Sequence, residues 1–221
     1  SEAAKRDIVE AFGVDPDRLH PIPLGVDQSA FRPKPQIPRA KNRIISTASA
    51  DTPLKGLPVL LKAYRQLLDN HPDLELVVIG KLRDGLARRM LGELGLEHCV
   101  QFKSGLTRRE LAEEFCRATI AVTPSLYEGF GLPAAEAMSC GTPVIVTDGG
   151  ALPEVAGDAG IVVPRGDADA LAASIARLLD HADNRLSVGE ACLMRARTEF
   201  DWRQIAPRYL SLMEEARANP C

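Results

Sequence analysis

The amino-acid sequence predicts an α/β protein built on a doubly wound parallel sheet with helices on both faces. Six or so short apolar stretches with strand character alternate with longer stretches whose apolar residues recur at helical spacing. The stretch 74–79 is apolar almost throughout, which is typical of a parallel strand that helices cover on both faces. A glycine-rich turn follows the apolar stretch 119–123, and the ends of parallel strands are where such folds bind ligands.

The first elements are predicted from apolar spacing and from helix-stop residues. Residues 1–12 form a helix that Gly13 ends. The stretch 31–41 is rich in proline and basic residues, so we expect an exposed loop there. A strand at 43–48 is followed by an amphipathic helix whose apolar positions lie between Leu57 and Leu68.

Polar residues mark two helix starts in the rest of the chain. Thr107 and Glu110 have the spacing of a capping box, and Asp167 or Asp169 caps a later helix. The other strands are predicted at 100–102, 119–123 and 159–163, and the other helices at 85–94, 107–117, 167–179, 184–200 and from 201 onward.

The bulk composition bounds the function. With 221 residues, of which 45% are hydrophobic and 26% charged, the chain can form one large domain with a substantial core. A net charge of −3 gives no electrostatic reason to expect a nucleic-acid partner. The five cysteines lack metal-ligand spacing, and we expect Cys99, Cys116 and Cys140, which lie beside apolar residues, to be buried thiols. Without a signal peptide or a membrane-spanning run, the chain is expected to be cytoplasmic.

The stretch 128–138 is the centre of the functional argument. It is predicted to close a strand, turn through glycines and open a short helix, because Pro133 suits the first turn of a helix. Gly129 and Gly131 lack side chains where the backbone could approach a ligand. The free N–H groups of the helix start then form a cradle for an anion.

Two carboxylates flank this cradle. Glu128 and Glu136 would repel phosphate, so they should face hydroxyl groups of the same ligand, because an ionised carboxylate only accepts hydrogen bonds. A ligand with both phosphates and vicinal hydroxyls fits, and a nucleotide sugar is such a ligand. The alternative is that Glu136 only stabilises its helix through the dipole and that Glu128 is solvated.

The string from Glu128 to Met138, with seven residues between its glutamates, resembles the signature of retaining GT-B glycosyltransferases. Specifically, it is similar to the large group 1 family (family four), which uses nucleotide-sugar donors. The stretches 141–146 and 149–154 match the same family. The resemblance covers nearly the whole chain but only the C-terminal half of such an enzyme, and it implies a Rossmann-like half of a GT-B fold.

The resemblance implies a role for each residue of the motif. Glu128 contacts the transferred sugar and Glu136 the ribose. Backbone that lies along the sugar and phosphates comes from Gly129, Phe130, Gly131 and Leu132. Gly80 and Ser104, which follow two other strands, are assigned to the same donor site. In the family the turn at Ser104 lies against the nucleobase, usually with glycine at that position, so the base is left open.

Lys55 is the second residue that we assign to catalysis, together with Glu128. It lies on a strand-to-helix loop, where its charge can neutralise a diphosphate leaving group, and Lys55-Gly56 matches a family motif. The alternative is a solvated surface lysine. Family members often carry an arginine shortly before this lysine, and the matching residue here is Ala50. Groups that could replace the missing charge are Arg83, or backbone N–H groups with Ser49 or Thr52.

The family architecture implies three segments. Residues 1–23 belong to the end of the N-terminal half and the interdomain segment, and residues 24–200 form the nucleotide-sugar-binding domain. Residues 201–221 form a helix that packs toward the N-terminal domain, so we expect part of its apolar face to be exposed here.

The function predicted from the resemblance is the donor-binding half of a retaining, metal-independent glycosyltransferase. It would move a sugar from a nucleotide diphosphate sugar to an unidentified acceptor, without a cofactor. Its partner would be its own N-terminal domain, and any peripheral membrane contact would come only through that half. Two alternatives are a GT-B epimerase or phosphorylase relative, and a catalytically silent nucleotide-sugar-binding module, which the missing arginine favours.

Overall fold

The computed structural model of the chain describes residues 1–48 and 52–218. Its strands are β1 Arg43–Ser46, β2 Glu75–Ile79, β3 Val100–Lys103, β4 Ile120–Thr123, β5 Val144–Thr147 and β6 Ile161–Val163. They form one parallel sheet in the order β3-β2-β1-β4-β5-β6. The chain builds outward from β1 to β3, returns to the other side of β1 with β4, and continues outward to β6. The predicted doubly wound α/β sheet is therefore confirmed.

Helices connect the strands and cover both faces of the sheet. The described helices are α1 Glu2–Phe12, α2 Leu57–Leu67, α3 Leu86–Glu93, α4 Arg108–Arg117, α5 Leu132–Ser139, α6 Leu152–Ala156, α7 Ala168–Asp180, α8 Ala182–Glu199 and α9 Trp202–Ala218. Helices α2, α3 and α7 pack on one face, and α4, α5, α6 and α8 pack on the other.

The core is divided by the sheet because neighbouring strand residues point to opposite faces. Ile44 is buried among the side chains of α2 and α7, whereas Ile45 is buried on the side of α4 and α5. The same division occurs at Ile145 and Val146 in β5. All four residues have 0% exposure, so the strands are apolar throughout for the reason that the sequence predicts.

The predicted capping residues form hydrogen bonds at the starts of their helices. Thr107 Oγ1 accepts a hydrogen bond from Glu110 N, and the Glu110 carboxylate accepts one from Thr107 N, which completes the capping box of α4. Asp167, rather than Asp169, caps α7, since its carboxylate accepts a hydrogen bond from Ala170 N at 2.9 Å. Gly13 ends α1 in the left-handed conformation, with φ of 62°.

The stretch 31–41 is the largely exposed loop that its composition predicts, but two of its side chains anchor it to the domain. Phe31 is 2% exposed and packs against Phe115 of α4. Arg39 donates hydrogen bonds to Ala118 O at 2.5 Å and to Thr142 Oγ1 at 3.1 Å. The predicted loop is confirmed, since the segment contains no helix or strand and most of its residues are exposed. Composition did not show that the Phe31 ring is buried or that the Arg39 guanidinium group has hydrogen-bond partners. The segment ties the end of α4 to the start of β5.

The prediction for the cysteines is partly wrong. Cys116 and Cys140 are buried, but Cys99 is exposed. Cys99 lies in the turn between α3 and β3, where Leu96 is the residue that points into the core and Cys99 N bonds to Leu96 O at 3.0 Å. Apolar neighbours in the sequence therefore do not imply burial in a turn.

The last helix has the exposed apolar side chains that were expected. Ile205 of α9 is buried, whereas Trp202, Leu210 and Met213 are 45%, 60% and 64% exposed. The division of the chain at residues 23 and 200, and the packing of α9 toward an N-terminal domain, stay predictions. No helix in the described ranges is both long and apolar enough to cross a membrane.

Candidate active site

The candidate site lies where the strand order of the sheet reverses, between β1 and β4. In open α/β sheets a crevice forms at this point, because the loops after the two strands lead to helices on opposite sides. The loop after β1 carries Lys55, and the loop after β4 carries Glu128. These two residues are 73 positions apart in sequence, yet Lys55 Nζ and Glu128 Oε1 form an ion pair at 2.6 Å.

The loop that carries Lys55 is fixed against the loop after β4. Lys55 ends a short 3-10 helix, Pro53–Lys55, and Gly56 follows with φ of 67°. A Cβ on Gly56 would lie 1.8 Å from Pro124 O, so a side chain at this position would collide with backbone. Leu126 N also donates to Leu54 O at 2.7 Å. Lys55 is therefore held by contacts that glycine at position 56 makes possible.

Glu128 is held by two donors on one carboxylate oxygen. Besides Lys55, Ser125 Oγ donates to Glu128 Oε1 at 2.9 Å. Ser125 is itself 1% exposed, and its carbonyl oxygen accepts a hydrogen bond from Thr147 Oγ1 of β5. The Glu128 side chain is 11% exposed, so it is not the solvated carboxylate of the alternative interpretation. Within the described ranges both of these donors bind Oε1, and no protein donor bonds to the other oxygen, Oε2.

A second glycine-rich turn, after β5, supports the first. Gly150, with φ of 65°, would place a Cβ 2.3 Å from Glu128 O, and Gly149 would place one 2.6 Å from Ser125 O. Ala151 N donates to Glu128 O at 2.9 Å. The two loops thus meet backbone to backbone, and the glycines are needed for that approach.

The turn from Gly129 to Leu132 offers backbone rather than side chains to the crevice. A Cβ on Gly129 would meet nothing within 4 Å, so this exposed residue borders open space. Gly131 precedes α5 with φ of 99°. The Phe130 ring turns away and packs edge-to-face on Phe200, with 5.8 Å between ring centroids. Because Pro133 has no N–H and Ala134 N bonds to Gly131 O, Leu132 N is the donor that the helix start presents.

Glu136 has surroundings unlike those of Glu128. It lies within α5 and is half-buried, and burial raises the pKa of its carboxyl group from 4.5 to about 7, with the charge of Arg108 opposing the rise. In the part of the chain that the structure describes, no donor forms a hydrogen bond with its carboxylate. A half-buried acceptor without a protein donor is open to hydrogen bonds from water or from hydroxyl groups of a ligand.

The remaining predicted residues lie at the ends of two outer strands. Gly80 follows β2, and its N–H donates to Lys103 O at 2.8 Å, while Ser104 is exposed directly after β3. Ala50 and Ser49 lie outside the described residues. Arg83 interacts with another part of the chain. That it supplies the positive charge of the missing family arginine stays a prediction. No group of three or more potential metal ligands occurs in residues 1–48 and 52–218.

Residues 27–192 match the family model described as glycosyl transferases group 1. The match covers most of the chain and includes the loops that carry Lys55, Glu128 and Glu136. The chain belongs to the group 1 glycosyltransferases. Its fold and the motif from Glu128 to Met138 agree with this membership, and the resemblance predicted from the sequence is confirmed.

Among its relatives is a protein named MMP alpha-(1->4)-mannosyltransferase from Mycolicibacterium hassiacum. It is 42% identical over 223 residues, which cover 99% of this chain and 53% of the relative. The present group 1 domain thus spans about half the length of the curated relatives that it matches.

Solved structures show the same fold. A sucrose-phosphate synthase from Thermosynechococcus elongatus superposes with a TM-score of 0.85 at 28% identity, over 99% of this chain and 57% of that chain. The C-terminal domain of a group 1 family glycosyl transferase from Francisella tularensis superposes with a TM-score of 0.70 at 26% identity, over 80% of this chain and 99% of that domain. The present chain is accordingly a C-terminal domain of the group 1 GT-B type.

Three features of this group 1 domain were not predicted from its sequence. Ser125 was not assigned a role, although it fixes Glu128, and Arg108 was not identified as the charge that faces Glu136. The serine could have been found by its position between β4 and Glu128. The direct contact between Lys55 and Glu128 has no local sequence signal, since it depends on which strands are neighbours.

Proposed function

We propose that this chain is the donor-binding half of a retaining glycosyltransferase that moves a sugar from a nucleotide diphosphate sugar to an acceptor. The Lys55–Glu128 ion pair at the switch point of the sheet is the observation that carries the proposal. It places a cation and a carboxylate beside a glycine-rich backbone turn, which suits a ligand that joins a diphosphate to a sugar.

Donor binding divides the ion pair between two parts of the ligand. Lys55, whose side chain is 34% exposed, turns from Glu128 to a phosphate oxygen, where it offsets the charge that develops on the leaving diphosphate. The N–H of Leu132 adds a second donor from the start of α5. Glu128 keeps the hydrogen bond from Ser125 and accepts one from a hydroxyl of the sugar, which orients the sugar for transfer. No protein nucleophile is assigned.

Glu136 completes the site by accepting hydrogen bonds from the ribose. Its carboxylate has no protein donor in the described ranges, and vicinal hydroxyls are suitable donors for it. Ribose binding favours the ionised form, so it should lower the pKa of a carboxyl group that burial holds at about 7. Binding of the donor and ionisation of Glu136 are therefore coupled.

The donor and the metal requirement are open to a direct test. Because a relative at 42% identity is named a mannosyltransferase, mannose is the first transferred sugar to examine, with nucleotides of each common base as carriers. Lys55 and the start of α5 supply the positive potential that a divalent ion supplies in other enzymes, so we propose that binding needs no metal.

The experiment measures transfer of labelled sugar by the full-length protein, together with a thermal-shift screen of nucleotide sugars. A donor at about 100 times its dissociation constant should stabilise the protein by about 2.7 kcal/mol. We expect one base and sugar combination to stabilise the protein and to support transfer, and both effects should persist with a chelator. A donor that binds without transfer to any acceptor would favour a silent binding module, and loss of binding with the chelator would contradict the metal-independent mechanism.

A further inference from the structure

Helix α1 is attached to the donor loop on both sides of Glu128. Ser1 Oγ donates to Gly129 O at 2.9 Å, and Tyr127 OH donates to Asp7 Oδ2 at 2.5 Å. The two residues that flank Glu128 in sequence are thus each bonded to α1. Since no other helix in the described part of the chain forms hydrogen bonds with both flanking residues, α1 and its N-cap are well placed to fix the loop around Glu128.

The start of α1 is in turn fixed by Glu154 of α6. Glu154 Oε2 accepts a hydrogen bond from Glu2 N at 2.8 Å, and Oε1 accepts one from Ala3 N at 2.6 Å. These are amides of the first turn, which have no partner within their own helix, and a carboxylate at that end also opposes the helix dipole. Ala3 is 5% exposed, and its bond to Glu154 is partly buried, whereas the bond of Glu2 is exposed.

Glu154 also belongs to α6, the helix whose preceding turn bonds to the backbone of Glu128. Helix α6 begins directly after the turn in which Ala151 N donates to Glu128 O at 2.9 Å. Arg195 of α8 fixes the other end of α6, because Nη2 donates to Glu154 O at 2.7 Å and Nε to Val155 O at 2.9 Å. A closed set of contacts therefore runs from the Glu128 loop to α6, from Glu154 to α1, and from α1 back to the loop.

We propose that Glu154 is a positioning residue for Glu128, because it fixes the start of α1, whose N-cap Ser1 bonds to the backbone of Gly129 and whose Asp7 bonds to the side chain of Tyr127. The inference rests on the proposed role of Glu128 at the transferred sugar. Glu154 itself touches neither donor nor reacting atoms. Its loss leaves Lys55 and Glu136 in place, so it should affect the orientation of the sugar rather than the binding of the diphosphate.

The test compares Glu154→Gln with Asp167→Asn in the full-length protein. Both changes turn a helix-capping carboxylate into an amide, but Asp167 caps α7, away from the Glu128 loop. We expect Glu154→Gln to lower kcat about tenfold, with KM for the donor and the dissociation constant of the nucleoside diphosphate changed by less than about twofold. Asp167→Asn should lower the melting temperature without changing kcat.

A second variant separates positioning from a general loss of stability. Asp7→Ala removes the bond to Tyr127 and should also lower kcat. Combined with Glu154→Gln, it should lower kcat by less than the product of the two single effects, because both act through α1. Unchanged kcat in Glu154→Gln, or equal losses in Glu154→Gln and Asp167→Asn, would overturn the inference while leaving the proposed function intact. Failure of the wild-type protein to bind any nucleotide sugar would instead overturn the proposed function and the inference with it.

Discussion

The turn after β4 and the body of α5 each carry one glutamate of the same motif, and the two carboxylates have different surroundings. Glu128, at the end of the turn after β4, receives Lys55 and Ser125 on one oxygen. Glu136, inside α5, has no hydrogen-bond donor among the described residues, and burial raises its pKa to about 7. One carboxylate is engaged by protein donors, whereas the other has none among the described residues.

The difference follows from the position of each residue relative to the sheet. A turn at the end of a parallel strand is close to the turns after the neighbouring strands, so residues distant in sequence can reach Glu128. Glu136 is surrounded on its own helix by small apolar residues, of which Ala134, Ala135 and Ala137 are all 0% exposed. These offer no donor, so a polar partner must come from another helix or from the ligand.

The largest effect is expected from Lys55→Ala. Transfer by the full-length protein should fall about 10²- to 10³-fold, because a preorganised charge is removed from the developing anion. Lys62→Ala, which removes an exposed lysine of α2, is the matched control and should leave activity unchanged. If Lys55→Ala kept its activity within a few-fold of wild type, the Lys55–Glu128 ion pair would have a structural role and no role in transfer.

Glu128→Ala should separate sugar binding from diphosphate binding. We expect transfer to fall on the order of 10²-fold, because orientation of the sugar matters most at the transition state. Affinity for the nucleoside diphosphate should hold or rise, since Lys55 no longer pairs with Glu128. Calorimetry with the diphosphate and with the intact donor makes the comparison, and equal losses for both ligands would remove Glu128 from the sugar site.

Glu136→Ala should weaken the binding of the nucleoside diphosphate and of the intact donor equally. Because the ribose is shared by the diphosphate and the donor, each should lose about 1.5–3 kcal/mol of binding free energy, the usual range for hydrogen bonds to a charged group. Glu93→Ala, at an exposed position of α3, is the control and should bind both ligands normally. A loss confined to the intact donor would place Glu136 at the sugar and would reverse the assignment of the two carboxylates.

The smallest expected effect is a dependence of donor affinity on pH. Hydroxyl donors favour ionised Glu136, so affinity should be highest above pH 7 and should fall as pH decreases through about 7, by up to about tenfold per unit below it. Titration calorimetry between about pH 6 and pH 8 with the intact nucleotide sugar, whose bridging phosphates keep their charge over this range, measures the effect. Glu136→Gln should bind more weakly above pH 7 and lose the dependence, and an identical slope in that variant would assign the titration to another group.

The same carboxyl group should influence the stability of the free protein in the opposite direction. Its pKa is raised from 4.5 in the unfolded chain to about 7 in the folded one, so its contribution to stability is complete below pH 4.5 and is lost as pH rises through 7. Thermal unfolding without ligand should therefore show Glu136→Gln gaining stability relative to wild type above pH 7, with the gain shrinking toward zero as pH falls below 4.5. Parallel stability curves for the two proteins would contradict the buried position of this group.

The elements near the site that could be predicted are those set by local sequence. The capping box of Thr107 and the cap of α7 by Asp167 depend on residues within one helical turn, which is why spacing alone identified them. The strand–turn–helix unit from β4 to α5 was predicted for the same reason. Gly131 of this turn lies in the left-handed region, which glycine adopts without steric strain.

By itself the sequence determined how strands and helices alternate along the chain, that the sheet is parallel, and which motif contains Glu128 and Glu136. The tertiary structure alone decided that Lys55 meets Glu128, that Glu154 caps α1, and that Phe31 of the loop 31–41 packs against Phe115 of α4. The physical reason is the range of the interactions. Caps and periodicity act within a few residues, whereas a parallel sheet brings together loops far apart in the chain, and only the order of its strands fixes which loops become neighbours.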